Sequence, residues 1–317
     1  MAAARLKRAR LGTRGSALAL AQADSVATAL RRLGQDVEIV PIKTEGDRLF
    51  GARLADVGGK GLFVREIEQA LADGAIDLAV HSLKDLPAEQ PAGLELAAFP
   101  PREDPRDVLL TRAGGGFETL PNGARLGTSS LRRRALALAL RPDLAVTAIR
   151  GNVDTRLRKL AEDACDALVV AAAGLARLGA RPPHACPLAP EVFVPAVGQG
   201  ILGVQVRRDD SETGRLVRTL DDAATRACGL AERAYLRRLG ASCTTPIAGY
   251  AVLEPDRAGA RLHMRALVAS EDGRRVLRAE AAGVPDDAEG LGRGLAEALL
   301  DQGAAAVALL DPGRRVS

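Results

Sequence analysis

The chain has no tryptophan, two tyrosines and five phenylalanines among 317 residues. Its cores must therefore be packed from alanine, leucine and valine. Base-stacking platforms for single-stranded nucleic acid are missing as well. Histidine is scarce: His81, His184 and His263 are too few for His-rich metal chemistry. The four cysteines, Cys165, Cys186, Cys228 and Cys243, form no C-x-x-C pair, which argues against a zinc site. Widely scattered thiols suit a reducing compartment. No apolar run approaches the ~20 residues of a membrane span. Neither sign of charge dominates, since 44 basic and 40 acidic residues leave a net +4. That excess is short of the basic face of a duplex-DNA binder, yet it allows a local anion site. What remains is an ordinary globular composition, 47% hydrophobic and 26% charged. The length predicts two or three domains at roughly 150 residues each.

The N-terminus imitates an export signal: Lys7, Arg8 and Arg10 precede Ala17 to Leu20 and then Ala21-Gln22-Ala23. Arg14, Gly15 and Ser16 interrupt the approach, and the apolar period continues through Val26, Leu30 and Leu33. The reading is a strand ending at Leu11 and an amphipathic helix capped by Ser16, running to about Leu33. Strands and helices then alternate. Val37 to Ile42 reads as strand, Phe63 to Ala72 as helix and Ile76 to Val80 as buried strand. Val108 to Leu110 and a run ending at Leu126 are strands. Leu131 to Leu140 is a helix, Val146 to Ile149 a strand, Val153 to Ala161 a helix and Leu168 to Ala171 a strand, with a helix starting at Leu175. This βαβα rhythm predicts an α/β protein with mixed, mostly parallel sheets.

The proline-rich stretch Phe99 to Pro105 and a second one, Arg181 to Pro195, predict two crossings between lobes, with a cleft between them. Residues 1–100 and 201–219 would form lobe 1, and 105–195 lobe 2. A strand, Ile201 to Val206, and helices Glu212 to Leu220 and Ala223 to Leu239 follow. A meander then runs through Ile247 to Val252, Arg261 to Ala269 and Arg275 to Ala279. A helix at Leu291 to Leu300 and a strand at Ala305 to Leu309 complete a small C-terminal α+β domain over 223–317.

Two glycine patterns carry no chemistry. Gly198 to Gly203 fits G-x-G-x-x-G but is followed by a strand, not a helix. Gly58-Gly59-Lys60-Gly61 lacks the hydroxyl that a phosphate loop needs after its lysine, so it reads as a glycine loop carrying one Lys. The stronger signal is cationic. In open α/β sheets ligands bind beyond the carboxyl ends of strands. Here Arg14, Lys84, Arg132, Arg133 and Arg150 follow strand ends, and Arg156 lies in the next first turn. Cations at the start of the Leu131 helix oppose its dipole unless an anion is bound there. Arginine suits carboxylate or phosphate. The set predicts a polyanionic ligand; a plain basic surface over Arg132 to Arg134 is the bland alternative. Asp85, amid cations, should stay ionised. It would accept from a ligand N–H or stabilise a developing cation, or else form a structural salt bridge to Lys84 or an Arg. Cys243, in the turn Gly240 to Pro246, is either an attachment point or nucleophile, or an inert thiol.

Together these stretches resemble the porphobilinogen deaminase (hydroxymethylbilane synthase) family. They are Thr13 to Ala19, Val57 to Phe63, Ala79 to Pro87, Arg102 to Asp107, Gly127 to Arg133, Arg150 to Arg156 and Pro195 to Gly200, in order along nearly the whole chain. The resemblance implies two periplasmic-binding-protein-like lobes and a third domain, in a monomeric cytoplasmic enzyme of tetrapyrrole (haem) synthesis. Such an enzyme condenses four porphobilinogen units head to tail with loss of ammonia and releases hydroxymethylbilane. It implies a dipyrromethane cofactor, thioether-linked at Cys243, and no metal, nucleic-acid or membrane partner. Ala241-Ser242 stands where the family has Gly-Gly, and alanine is less free in backbone conformation. The resemblance further implies catalytic roles for Asp85, Lys84 and Arg14. It implies cofactor and substrate binding by Ser16, Ser82, Thr128, Ser129, Ser130, Arg132, Arg133, Arg150, Arg156 and Gln199, and a lid carrying Lys60 and Phe63. A solute-binding protein would share the lobes and the signal-like N-terminus but gives Asp85 and Cys243 no task. A nucleic-acid binder using the Thr128 to Arg134 helix would show steep salt dependence.

Overall fold

The computed structural model describes residues 8–44, 64–242, 245–256 and 259–310. The chain divides into two compact units, one made of Met1–Glu103 and Ile201–Arg226, the other of Asp104–Gly200 and Ala227–Ser317.

The first unit contains β1 (Ala9–Arg14), α1 (Ala17–Arg32), β2 (Val37–Ile42), α2 (Arg65–Ala72), β3 (Leu78–Ser82) and β4 (Leu94–Ala98). The second opens with β5 (Asp107–Thr111), β6 (Arg125–Gly127), α3 (Leu131–Leu140), β7 (Ala145–Thr147) and α4 (Val153–Ala161). It continues through β8 (Ala167–Ala171), α5 (Ala172–Arg177) and β9 (Ala185–Pro187). The chain then supplies β10 (Leu202–Arg207) and α6 (Ser211–Arg218) to the first unit, followed by α7 (Ala223–Arg238). It ends with β11 (Ile247–Asp256), β12 (Gly259–Ala269), β13 (Val276–Gly283), α8 (Ala288–Asp301) and α9 (Ala304–Val307).

The five-stranded sheet of the first unit has the order β2-β1-β3-β10-β4, and that of the second β7-β6-β8-β5-β9. In the first, β1 pairs in parallel with β2 and β3, while β10 is antiparallel to β3 and β4. In the second, β6 is parallel to β7 and β8, and β5 is antiparallel to β8 and β9. Strand direction is therefore mostly parallel, with one reversed strand per sheet. The pairings themselves divide evenly between parallel and antiparallel. Each reversed strand is the first after a crossing of the chain, where the backbone enters from the opposite end. The third sheet is the antiparallel meander β11-β12-β13.

Few large side chains fill these cores, as the aromatic shortage requires. In the first unit Leu11, Val26, Leu30, Leu78 and Val204 share one cluster. In the second, Phe117 and Phe193 stack with centroids 5.9 Å apart, and fully buried Tyr235 donates to the Leu267 carbonyl at 2.9 Å. A Cβ on Gly292 of α8 would overlap the Ala231 carbonyl of α7, so glycine lets these two backbones touch.

Several elements differ from the sequence reading: β1 runs on to Arg14 instead of ending at Leu11, β7 ends at Thr147 instead of Ile149, and β13 extends to Gly283 instead of Ala279. The buried strand begins at Leu78 rather than Ile76, because the Ile76 N–H is spent on the Ala70 carbonyl at the end of α2. The helix placed at Leu175 starts at Ala172. β4 and β9 have no counterpart in that reading: Leu94 to Ala98 lacks β-branched residues, and β9 is a three-residue piece ending in proline. The closing strand expected over Ala305 to Leu309 is instead the short helix α9, alanine-rich and started by Gly303 in the left-handed region.

Candidate active site

In the first unit, the ends of β1 and β3 bring four expected site residues together. A small cavity there is lined by Arg14, Ser16, Ser82 and Asp85, with Gln22 and His81. Ser16 caps α1, its hydroxyl accepting from the Ala19 N–H at 3.3 Å. One turn on, Gln22 is buried and its Nε2 donates to the Ser82 hydroxyl at 2.8 Å, fixing that serine at the strand end. A 3₁₀ turn over Leu83–Asp85 then presents Lys84 half-buried and Asp85 exposed, anchored by buried Leu83.

His81 is excluded from proton transfer near neutral pH. Burial drives it down to about 4, against a smaller upward pull from Gln205. Gln205 points its amide N–H at Glu68 (3.0 Å) and Gln90 (2.8 Å), so its carbonyl faces His81 Nε2 at 3.1 Å. The neutral ring therefore carries its proton on Nε2.

In the second unit, the Thr128 to Arg133 run forms the start of α3. Ser130 is its cap, accepting from the Arg133 N–H at 3.4 Å; Thr128 Oγ1 accepts from the Ser130 N–H at 3.2 Å. Ser129 donates to the Ile149 carbonyl at 2.9 Å. Arg132 and Arg133 turn inward and are buried. Their shared partner is Asp107, the first residue of β5, through Arg132 Nη1 to Oδ2 and Arg133 Nη2 to Oδ1, both at 2.7 Å. Burial alone would raise the Asp107 carboxyl, but the two guanidinium groups outweigh it and bring it to about 2. Gln199, also buried, donates to the Pro105 carbonyl at 2.7 Å and lies 3.2 Å from Asp107 Oδ1. The predicted counter-charge at this helix start is thus supplied in part from within.

Capacity for a further anion remains. Arg132 Nε is buried and has no hydrogen-bond partner. Arg156 donates Nε to the Gly151 carbonyl at 2.8 Å and forms no ion pair among the described residues. Burial, reinforced by the neighbouring Arg133 charge, pulls its guanidinium down to about 10. A carboxylate beside Arg156 would offset both effects. Arg150 stands half-buried two residues ahead of the Asn152 cap of α4.

Lys60, Phe63 and Cys243 lie outside the described residues. On either side of Cys243, Ser242 and Thr245 are bonded both ways: Thr245 N–H to the Ser242 carbonyl at 3.0 Å, and Ser242 N–H to Thr245 Oγ1 at 3.2 Å. Among the described residues no cluster of three His, Cys, Asp or Glu side chains could hold a metal, and no helix is long and apolar enough to cross a membrane. The sequence reading assigned no role to Asp107, Gln22, Gln205 or Glu232. Fully buried Glu232 accepts from the Gly198 N–H (2.6 Å) and the Ala251 N–H (2.8 Å). Gln22 and Gln205 are polar residues within apolar runs, which signals a buried partner without naming it, whereas Asp107 and Glu232 stand beside Arg106 and Arg233 and carry no such signal.

Solved structures similar to this chain include a periplasmic substrate-binding protein of an ABC transporter from Coxiella burnetii, at 18% identity. Its TM-score is 0.42, with 69% of this chain and 94% of that one covered. Two family models match in sequence: "Porphobilinogen deaminase, dipyromethane cofactor binding domain" over residues 9–215, and "Porphobilinogen deaminase, C-terminal domain" over 226–301. Curated relatives named porphobilinogen deaminase include one from Syntrophobacter fumaroxidans, 48% identical over 93% of this chain and 95% of its own. Another, from Desulforudis audaxviator, is 52% identical over 93% and 94%, and one from Roseiflexus is 49% identical over 94% and 97%. With both models matched and relatives at this identity along almost its entire length, the chain belongs to the porphobilinogen deaminase family.

Proposed function

We propose that the two clusters divide the labour of hydroxymethylbilane synthesis, the family's head-to-tail condensation of porphobilinogen in tetrapyrrole formation. The second-unit cluster holds carboxylates and the first-unit cluster handles the reacting pyrrole. The observation that carries this reading is the unfilled anion capacity of the second unit. Among the described residues, Arg156 is desolvated without a paired carboxylate, and Arg132 keeps a buried N–H without an acceptor. Dipyrromethane fits these donors, because each pyrrole ring bears acetate and propionate groups. When bound through Cys243, it supplies the pyrrole carbon on which the chain grows. Thr128, Ser129, Ser130, Arg132, Arg133, Arg150 and Arg156 would bind its carboxylates, and Gln199 would hold the arginine pair through Asp107.

In the first unit, Arg14 and Lys84 neutralise substrate carboxylates, while Ser16 and Ser82 add neutral donors. Asp85 can only accept when ionised. Facing pyrrole N–H groups, it stabilises the cation left by loss of ammonia and takes part in proton transfer. Its exposure keeps it open to ligand. The division into residues 1–100 with 201–219, 105–195 and 223–317, a lid carrying Lys60 and Phe63, a monomeric state and a cytoplasmic location without nucleic-acid partners belong to the same proposal. Their support is the scattered thiols, the modest charge and the family membership.

The test is Asp85→Asn. The side chain keeps its shape and loses its charge, so the variant should still carry the covalent cofactor while turnover falls by a factor of about 100 or more. Turnover at the parent rate would remove Asp85 from the mechanism.

A further inference from the structure

Asp107 is a fully buried acid of the second unit, as Glu232 is, but its partners are two of the arginines assigned to ligand binding. It lies at the point where the chain enters β5, and it is 0% exposed. Its Oδ2 accepts from Arg132 Nη1 at 2.7 Å, and its Oδ1 accepts from Arg133 Nη2 at 2.7 Å and Nε at 2.9 Å. Both guanidinium groups are pinned a second time, Arg132 Nη1 by the Val194 carbonyl at 2.8 Å and Arg133 Nη1 by the Val169 carbonyl at 3.0 Å. The Phe193 ring lies 5.9 Å from Arg132 Cζ. A planar fork held at one edge and stacked on one face has a single orientation for its remaining N–H groups. Arg132 Nε is such a group. The trio of two cations and one anion keeps a net positive charge, and without the anion two buried like charges would sit side by side.

We propose that Asp107 is a positioning residue for anion recognition, holding Arg132 and Arg133 together in one orientation so that the carboxylates of the cofactor and of the growing chain meet a preassembled donor set. The inference rests on the ligand-binding reading of that pair. Gln199, bonded to both Asp107 and the Pro105 carbonyl, ties the same set-point to the backbone entering β5. Preassembly matters because two free arginine side chains would lose rotamer freedom on each binding event.

The experiment compares three full-length variants made in cells that supply porphobilinogen: Arg132→Leu, Asp107→Asn and Gln199→Met. The covalently loaded fraction is read by intact mass, native folding by circular dichroism, and KM and kcat on the loaded protein. Arg132→Leu should lose loading. In Asp107→Asn an amide N–H faces a guanidinium N–H, so loading should fall, or KM rise, about ten-fold or more in natively folded protein. Gln199→Met keeps both ion pairs and should stay loaded with KM raised several-fold at unchanged kcat. Full loading of Arg132→Leu would overturn the ligand-binding reading itself. An empty Arg132→Leu beside a loaded Asp107→Asn with parental KM would overturn the positioning role alone. If Asp107→Asn does not fold, Gln199→Met decides, and an unchanged KM there overturns the proposal.

Discussion

His81 and Asp85 stand four residues apart and are set to opposite electrostatic purposes. Asp85 faces solvent, whereas His81 is buried in a chain of hydrogen bonds through Gln205 to Glu68. Burial holds the histidine neutral down to about pH 4, while an unfolded chain would protonate it near 6.5. Between those values the unfolded state binds more protons, so stability rises with pH and is lost on acidification from 6.5 to 4. The loss is about 3 kcal/mol. Unfolding free energies measured across that window should show this slope, and a His81→Asn variant should flatten it; an equal slope in both proteins would assign the effect elsewhere. Single residues were legible where their role is local. Ser16 reads as a helix cap because a hydroxyl there serves its own turn. Asp107 was not legible as a partner, since Arg132 lies 25 positions away and only the folded sheet brings the two together.

Elements were legible in proportion to their periodicity. α3 and α4 begin and end where the apolar spacing and the residues at their N-termini place them. β2 matches because Val37, Ile39, Val40 and Ile42 are β-branched around a proline on an edge strand. β4 and α9, built from alanine and leucine, have no such bias, and tertiary contacts decide their state. The packing of α8 on α7 depends on one residue in the same way. Gly292→Ala would drive a methyl group into the Ala231 carbonyl. It should cost about 1–3 kcal/mol, even though alanine is the better helix former. Gly294, on the same helix, has open space around the equivalent position. Gly294→Ala should therefore leave the melting temperature unchanged or raise it, and equal losses in both variants would contradict the close-packing account.

At the scale of the whole molecule, the chain passes between the units at 103/104, 200/201 and 226/227, and the one reversed strand of each five-stranded sheet follows the first or the second of these crossings. The first crossing falls within the proline-rich stretch Phe99 to Pro105 and the second just after Arg181 to Pro195, while the third, inside α7, carries no such signal. The meeting of Arg14 with Ser82 and Asp85 at one cavity follows from their places at the ends of β1 and β3. The inward turn of Arg132 and Arg133 was not legible, because a sequence shows that charges are present and not which way they face. The proposed chemistry turns on a covalent dipyrromethane on Cys243 that the chain elongates with porphobilinogen. The most direct test is the intact mass of the purified protein beside Cys243→Ser, before and after incubation with porphobilinogen. An excess equal to two condensed pyrrole units should be present in the parent and absent from the variant. A parent chain that gains no mass even after incubation would contradict that chemistry.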